Sequence, residues 1–205
     1  MFEITLLNVT IYALVFFTVF YLIFSAIKKE FIRIDPLKLF YYVSLFSVFG
    51  ITGEAFVNTI WEHFVGEPLW EYYLFPLHGG DISYFFPLIW GGLGFYKYLS
   101  DATFNYYKPE EKIKPGLVLG AEAIPFELAY NGFYLLLFGS YIFYYLPANL
   151  GPLSHLSCLQ VIPFYFVVGF FTDAIIRKQN EYGYGKTTFL TAMVYWMIIV
   201  AFLIV

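Results

Sequence analysis

Residues 4–27 read ITLLNVTIYALVFFTVFYLIFSAI, and Lys28 and Lys29 follow at once. A charge-free run of this kind matches the roughly 20 apolar residues that a helix needs to cross the hydrocarbon core of a bilayer. Five more apolar stretches follow, at 40–62, 83–99, 116–146, 155–176 and 187–205. The runs are continuous rather than alternating, which excludes barrel strands. Backbone polar groups in lipid must bond within their own segment, which leaves helices. The expected fold is therefore all-α: a polytopic membrane bundle of about six transmembrane helices, with residues 1–205 forming a single domain.

Composition agrees. Of the 205 residues, 60% are hydrophobic and 24% aromatic, and only 13% are charged, against roughly 25% charged in soluble domains. A water-soluble chain of this length has too little interior to hide so many Phe, Tyr, Leu and Ile side chains. The eleven basic residues lie in short runs beside apolar segments, with no basic helix or arm of the kind that binds nucleic acid. Cys158, as a single cysteine, forms neither an intramolecular disulfide nor a cysteine-based metal cluster.

The basic residues set the orientation. Lys28, Lys29, Arg33 and Lys38 follow the first span; Lys97, Lys108, Lys112 and Lys114 follow the third; Arg177, Lys178 and Lys186 follow the fifth. The intervening loops 63–82 and 147–154 contain none. The positive-inside rule makes the three basic loops cytoplasmic, so the N and C termini both lie outside, in a multi-pass protein of the cell membrane. Glu3 leads the first span and its basic residues come after it, the reverse of a removable signal peptide. The chain reads as free of any repeat of fixed period, and two halves of three spans each would be inverted relative to one another.

Ionisable groups at membrane depth mark function, since each costs about 2.5–3.5 kcal/mol at a helix centre on insertion scales and so faces the bundle or a wet cavity. The second span carries Glu54, Asn58, Trp61 and Glu62. At 100° per residue the two glutamates and Asn58 fall within an arc of about 80°, a stripe running to the outer mouth. The fourth span carries Pro125, Glu127, Asn131 and Tyr134, with Glu127 roughly 16 Å from a start at residue 116, near the midplane. A proline there tends to kink the helix and free a carbonyl one turn earlier. Pro163 is expected to bend the fifth span in the same way. Buried carboxyl groups without a nearby cation can stay protonated at neutral pH, and no cation is expected inside a span. Glu54 and Glu127 are therefore candidate general acids or proton carriers. Hydrogen-bonded seams between helices would account for the same residues structurally. Asp173, one turn before Arg177, reads as an i,i+4 ion pair.

The loop 63–82 gathers His63, Trp70, Glu71, Tyr72, Tyr73, His78 and Asp81. His63, His78 and Asp81 are the residues there that a divalent cation would use, but their spacing does not form a metal motif, and neither metal nor cofactor is expected. Trp70, Tyr72 and Tyr73 suit an interfacial aromatic belt, or a segment lying over the mouth of the bundle. Gly91, Gly92 and Gly94 allow close approach of another helix, within this chain or in a homo- or hetero-oligomer.

Glu54 on one span, Pro68-Leu69-Trp70-Glu71-Tyr72 beyond it, and Pro125-Phe126-Glu127 on another span resemble the small carotenoid-modifying membrane enzymes, the all-helical lycopene cyclases and the related carotenoid hydratases. The family has a Trp-x-Tyr loop and a Pro-x-Glu-Glu motif and works by protonating a polyene. The resemblance implies that Glu127 is the matching acid and that Trp70 and Tyr72 are the loop aromatics. Leu128 stands where the second acid of the family's pair would be.

The leading expectation is a protein that binds or acts on a lipophilic substrate, of isoprenoid type, in an aromatic intramembrane cavity. Glu54 or Glu127 would give the proton, while Asn58, Trp61, Glu62, Asn131, Tyr134, Trp70 and Tyr72 contact the substrate. A proton- or cation-coupled carrier would use the same acids. A non-catalytic subunit of a membrane complex would turn them to a partner helix.

Overall fold

The computed structural model describes residues 2–104, 111–146 and 155–204, with side chains from residue 6 onward. Lys108, the loop 147–154 and the Glu3 side chain, all used in reading the orientation, lie outside the described residues.

Within those residues the chain is helical, with short strands at one end. The helices are α1 (Phe2–Lys28), α2 (Pro36–Val65), α3 (Phe86–Phe104), α4 (Lys114–Phe138), α5 (Val161–Tyr182) and α6 (Lys186–Ile204). Three of them, represented by Leu6–Lys28, Pro36–Val65 and Lys186–Ile204, are long and apolar enough to cross a membrane. The other three are diluted by small and polar residues turned to the interior: Gly91, Gly92, Gly94 and Lys97 on α3, Glu127 and Asn131 on α4, Thr172 and Asp173 on α5.

Local signals fix the ends of α2. Asp35 caps it, its carboxylate accepting from the amides of Leu37 at 3.0 Å and Lys38 at 3.1 Å, and Pro36 sits in the first turn, where its missing N–H is harmless. Gly66 closes the helix at φ 88° with its amide on the Glu62 carbonyl. Gly139 closes α4 in the same left-handed geometry, φ 68°, with its amide on Leu135. The fourth span therefore stops at Phe138 and not at 146 as expected, because Gly139 turns the chain out of the helix and into a strand. Pro163 lies in the first turn of α5, where it interrupts no helical hydrogen bond, so the expected bend does not arise.

Strand β1 (Trp70–Tyr72) pairs antiparallel with β4 (Phe143–Tyr145), matching Trp70 to Tyr145, Glu71 to Tyr144 and Tyr72 to Phe143. Strands β2 (Pro76–Leu77) and β3 (Ile82–Ser83) form a small hairpin around the 3-10 turn His78–Gly80. Because β1 follows α2 and β4 follows α4, their pairing puts the C-terminal ends of α2 and α4 at the same end of the molecule. That end is the one whose loops lack Lys and Arg.

Helices α2 and α3 pack closely, as do α4 and α5. A methyl group at Gly94 would lie 2.7 Å from the Tyr42 carbonyl oxygen, and one at Gly169 would lie 2.8 Å from that of Pro115. Only glycine permits those crossings. Gly91 faces Val43 and Ser47, and Gly92 faces Phe17, so the three glycines of α3 are covered by α1 and α2 of this same chain. Helix α1 joins the bundle mainly through rings: Tyr12, Phe16 and Phe20 meet Tyr130 and Phe126 of α4, with centroids 4.9 Å apart for Phe16 and Tyr130. Helix α6 lies along α2, with the Trp196 indole N–H on Ser44 Oγ at 3.0 Å.

At the opposite end from the strands, Lys97 is 7% exposed within α3. It pairs with Asp101 and, at 3.7 Å, with Asp173 of α5, which also pairs with Arg177 as the i,i+4 spacing predicts. A cation does therefore fall inside a helix of the bundle. Two carboxylates from different helices neutralise it, which is what lets it be buried.

Candidate functional site

Glu54 of α2 and Glu127 of α4 are buried, 4% and 5% exposed, and line one common cavity. Aromatic side chains make the walls: Trp70 and Tyr72 from β1, Phe143 and Tyr145 from β4, Trp90 from α3, and Phe164 and Tyr165 from α5. Ile89 and Val161 complete it. The space between these side chains is about 20 Å3, room for a single water molecule.

The two carboxyl groups are held alike. Tyr72, eighteen residues after Glu54, donates its hydroxyl to Glu54 Oε1. Tyr145, eighteen residues after Glu127, donates to both Glu127 oxygens, at 2.9 and 3.0 Å. An aromatic side chain of the next helix adds a second donor. Trp90 gives its indole N–H to Glu54 Oε1 at 2.8 Å, and Tyr165 gives its hydroxyl to Glu127 Oε1 at 2.9 Å.

An asparagine one turn beyond each glutamate fixes the strand that carries the tyrosine. Asn58 Oδ1 accepts from the Leu69 amide at 2.7 Å, and its Nδ2 donates to the Trp70 carbonyl at 3.1 Å. Asn131 Oδ1 accepts from Ile142 at 2.9 Å, and its Nδ2 donates to the Phe143 carbonyl at 2.7 Å. Asn58 Oδ1 also meets the Trp70 amide at 3.4 Å, so each asparagine side chain satisfies buried backbone amide and carbonyl groups of its strand.

The correspondence runs at a constant spacing of 73 residues, pairing Glu54 with Glu127, Asn58 with Asn131, Gly66 with Gly139, Trp70 with Phe143 and Tyr72 with Tyr145. In the next helix of each half it continues two residues further on, pairing Trp90 with Tyr165 and Gly94 with Gly169. The chain therefore does contain an internal repeat, contrary to the expectation from sequence. It is parallel rather than inverted, with α2-β1-α3 repeated as α4-β4-α5. The antiparallel β1–β4 register places a local twofold at the Glu71–Tyr144 pair.

The half-sites differ in one respect. Glu54 Oε1 takes both donors, and the buried Oε2 has no hydrogen-bond partner. Glu127 has a third donor, Ser157, whose hydroxyl meets Oε2 at 2.6 Å, so both its oxygens are bonded. Cys158, the next residue after Ser157, is buried.

Of the residues singled out in the sequence, Glu54, Glu127, Trp70 and Tyr72 come together at the cavity. Trp70 and Tyr72 point inward and are not part of an interfacial belt; Tyr73 alone of that trio is exposed. Asn58 and Asn131 are committed to backbone and do not line the cavity. Tyr134 is buried against Tyr12 on the α1 side, Trp61 is half-buried, and Glu62 is exposed. None of these three lines the cavity. His63 is exposed on the last turn of α2, His78 bonds the Phe202 carbonyl, and Asp81 accepts from Asn58. Among the described residues no group of three His, Cys, Asp or Glu side chains is placed to hold a metal ion. Tyr145, Ser157, Trp90 and Tyr165 are site residues that sequence reasoning alone misses. The signal that finds the first of them is Glu-x3-Asn, then Gly and aromatic-x-Tyr, present twice.

Fold and site together define a helical protein with three helices long and apolar enough to cross a membrane and a buried, aromatic, two-carboxyl chamber. No family model, curated protein or solved structure matches the chain.

Proposed function

We propose that the protein crosses the cell membrane six times, with both termini on the face that lacks Lys and Arg, and that its chamber binds a lipophilic, isoprenoid-type substrate and acts on it by acid chemistry. Glu54 is the proton donor and Glu127 the fixed anion. The observation that carries this reading is the contrast at the oxygens. Glu54 Oε2 is buried without a partner, as a carboxylic O–H awaiting an acceptor would be, while three hydroxyl donors surround Glu127. Two carboxyl groups whose surroundings push them to opposite roles are a common signature of an acid site.

In the proposed reaction Glu54 adds its proton to a carbon–carbon double bond and leaves a carbocation. The faces of Trp90 and Tyr165, stacked with centroids 5.3 Å apart, and the Glu127 carboxylate stabilise that positive charge. Loss of a proton from a neighbouring carbon to the Glu54 carboxylate ends the step, with atoms and charge balanced. A substrate of this size needs the aromatic walls to part, since the chamber holds one water. The resemblance to carotenoid-modifying enzymes points to the same chemistry, although it makes Glu127 the matching acid where the hydrogen bonds favour Glu54.

Lipid extracts from cells expressing the wild type, Glu54→Gln and Glu127→Gln test the reading. The wild type should shift an isoprenoid substrate to product, and Glu54→Gln should lower that rate by about 10²–10⁴-fold, the usual worth of a general acid. Unchanged product in Glu54→Gln would overturn it. The size of the chamber favours a second reading, a proton or small-cation carrier. It would show as flux into proteoliposomes that Glu54→Gln abolishes, with extracts unaltered.

A further inference from the structure

Next to the chamber, at the end that bears the strands, is a second cavity of about 290 Å3 lined by Ala55, Thr59, His78, Asp81, Ile82 and Phe202. It is separated from the chamber by few side chains. Ala55 follows Glu54 directly on α2, and Asn58, one turn on, donates from Nδ2 to Asp81 Oδ1. Trp70 is the partition: its ring lines the chamber, and its indole N–H binds the Asp81 carbonyl at 3.3 Å. Oδ2 of Asp81 accepts no hydrogen bond from the described residues. Asp81 is half-buried and Thr59 and His78 are exposed, so this cavity meets the face that lacks Lys and Arg.

We infer that Asp81 is a proton relay, through which Glu54 exchanges its proton with water on the strand-bearing face. The protonated Asp81 carboxyl gives its proton, through a water passing Trp70, to the Glu54 carboxylate, and water in the outer cavity reprotonates Asp81. His78, whose Nε2 meets the Phe202 carbonyl at 2.9 Å, is the other titratable group lining that cavity. The inference rests on Glu54 being the acid of the chamber and adds where its proton comes from. A carboxyl group beside an open cavity and one side chain away from a buried acid can keep that acid in contact with solvent.

Infrared hydrogen–deuterium exchange on the full chain in lipid nanodiscs tests it without any substrate. Glu54→Gln identifies the carboxylic C=O stretch of Glu54, and dilution into D2O gives its exchange rate. Asp81→Asn should slow that exchange by about 10²-fold, the scale of removing one positioned proton-transfer group. Thr59→Trp, which fills the outer cavity from an exposed position, should slow it similarly, and Asp81→Glu should restore it. Wild-type exchange in both Asp81→Asn and Thr59→Trp would overturn the relay while leaving Glu54 as an acid. A wild-type spectrum with no C=O stretch that Glu54→Gln removes would overturn the acid itself, and the relay with it.

Discussion

At Glu127 each oxygen accepts from two hydroxyl groups, whereas at Glu54 one oxygen takes both donors and the other takes none. Amide substitution should read this difference directly. In Glu54→Gln the amide oxygen can keep the bonds from Tyr72 and Trp90, and the nitrogen takes a position that had no partner. We expect a stability change under about 1 kcal/mol. In Glu127→Gln a donor nitrogen faces hydroxyl groups that were themselves donating, and the cost should be about 1–3 kcal/mol. Unfolding in mixed detergent micelles with rising dodecyl sulfate measures both, and equal losses would contradict the division of roles. A second residue-scale expectation concerns Cys158. It is 1% exposed, and a thiol buried in apolar surroundings is unreactive. Maleimide should label it slowly in the native protein and at once after denaturation; rapid native labelling would place it elsewhere than in the core.

At the scale of elements, the strands hold the tyrosines and the asparagines hold the strands. With three residues each, β1 and β4 are too short to be independently stable. Removing an asparagine takes away the side-chain partner of buried amide and carbonyl groups at the strand. Asn58→Leu and Asn131→Leu should therefore each cost about 2–4 kcal/mol, with loss of whatever activity depends on Tyr72 or Tyr145. A silent Asn131→Leu would mean that β4 is held by β1 alone. These elements also show where sequence reading reaches its limit. The positions of the six helices are legible to within a few residues at most ends, because apolar length is written locally. The strands are not, since their pairing joins residues 70–72 to 143–145 and no local pattern encodes it. Lys97 reads only as one of the basic residues at the end of the third span, and its burial is not legible because its partner Asp173 lies on another helix. Glu54 and Glu127 are legible as candidates from their cost in lipid. Their common chamber is not, because it depends on which faces of α2 and α4 meet.

For the whole molecule the repeat bears on orientation. The β1–β4 pairing requires the C-terminal ends of α2 and α4 to be neighbours, and a repeat of α2-β1-α3 as α4-β4-α5 relates helices that run the same way. Helices α2 and α4 then run one way and α3 and α5 return, so the loops after α2 and α4 share one face and the Lys97–Asp173 lock lies toward the other. The distribution of charge in the sequence independently gives the same division, with no Lys or Arg between 39 and 96 or between 115 and 176. Cysteine accessibility in intact cells brings the two arguments to one measurement. In a Cys158→Ser background, single cysteines at Tyr73 and Ser140, both exposed at the strand end, should react with a membrane-impermeant maleimide added outside. Cysteines at Lys29 and Lys186, exposed at the basic end, should react only after the membrane is opened. Labelling of Tyr73→Cys and Ser140→Cys from opposite sides is incompatible with β1 pairing to β4, and with it the shared chamber would be lost. Labelling of both from the inside would leave the chamber intact and reverse only the orientation, moving the cavity at Asp81 to the cytoplasmic face.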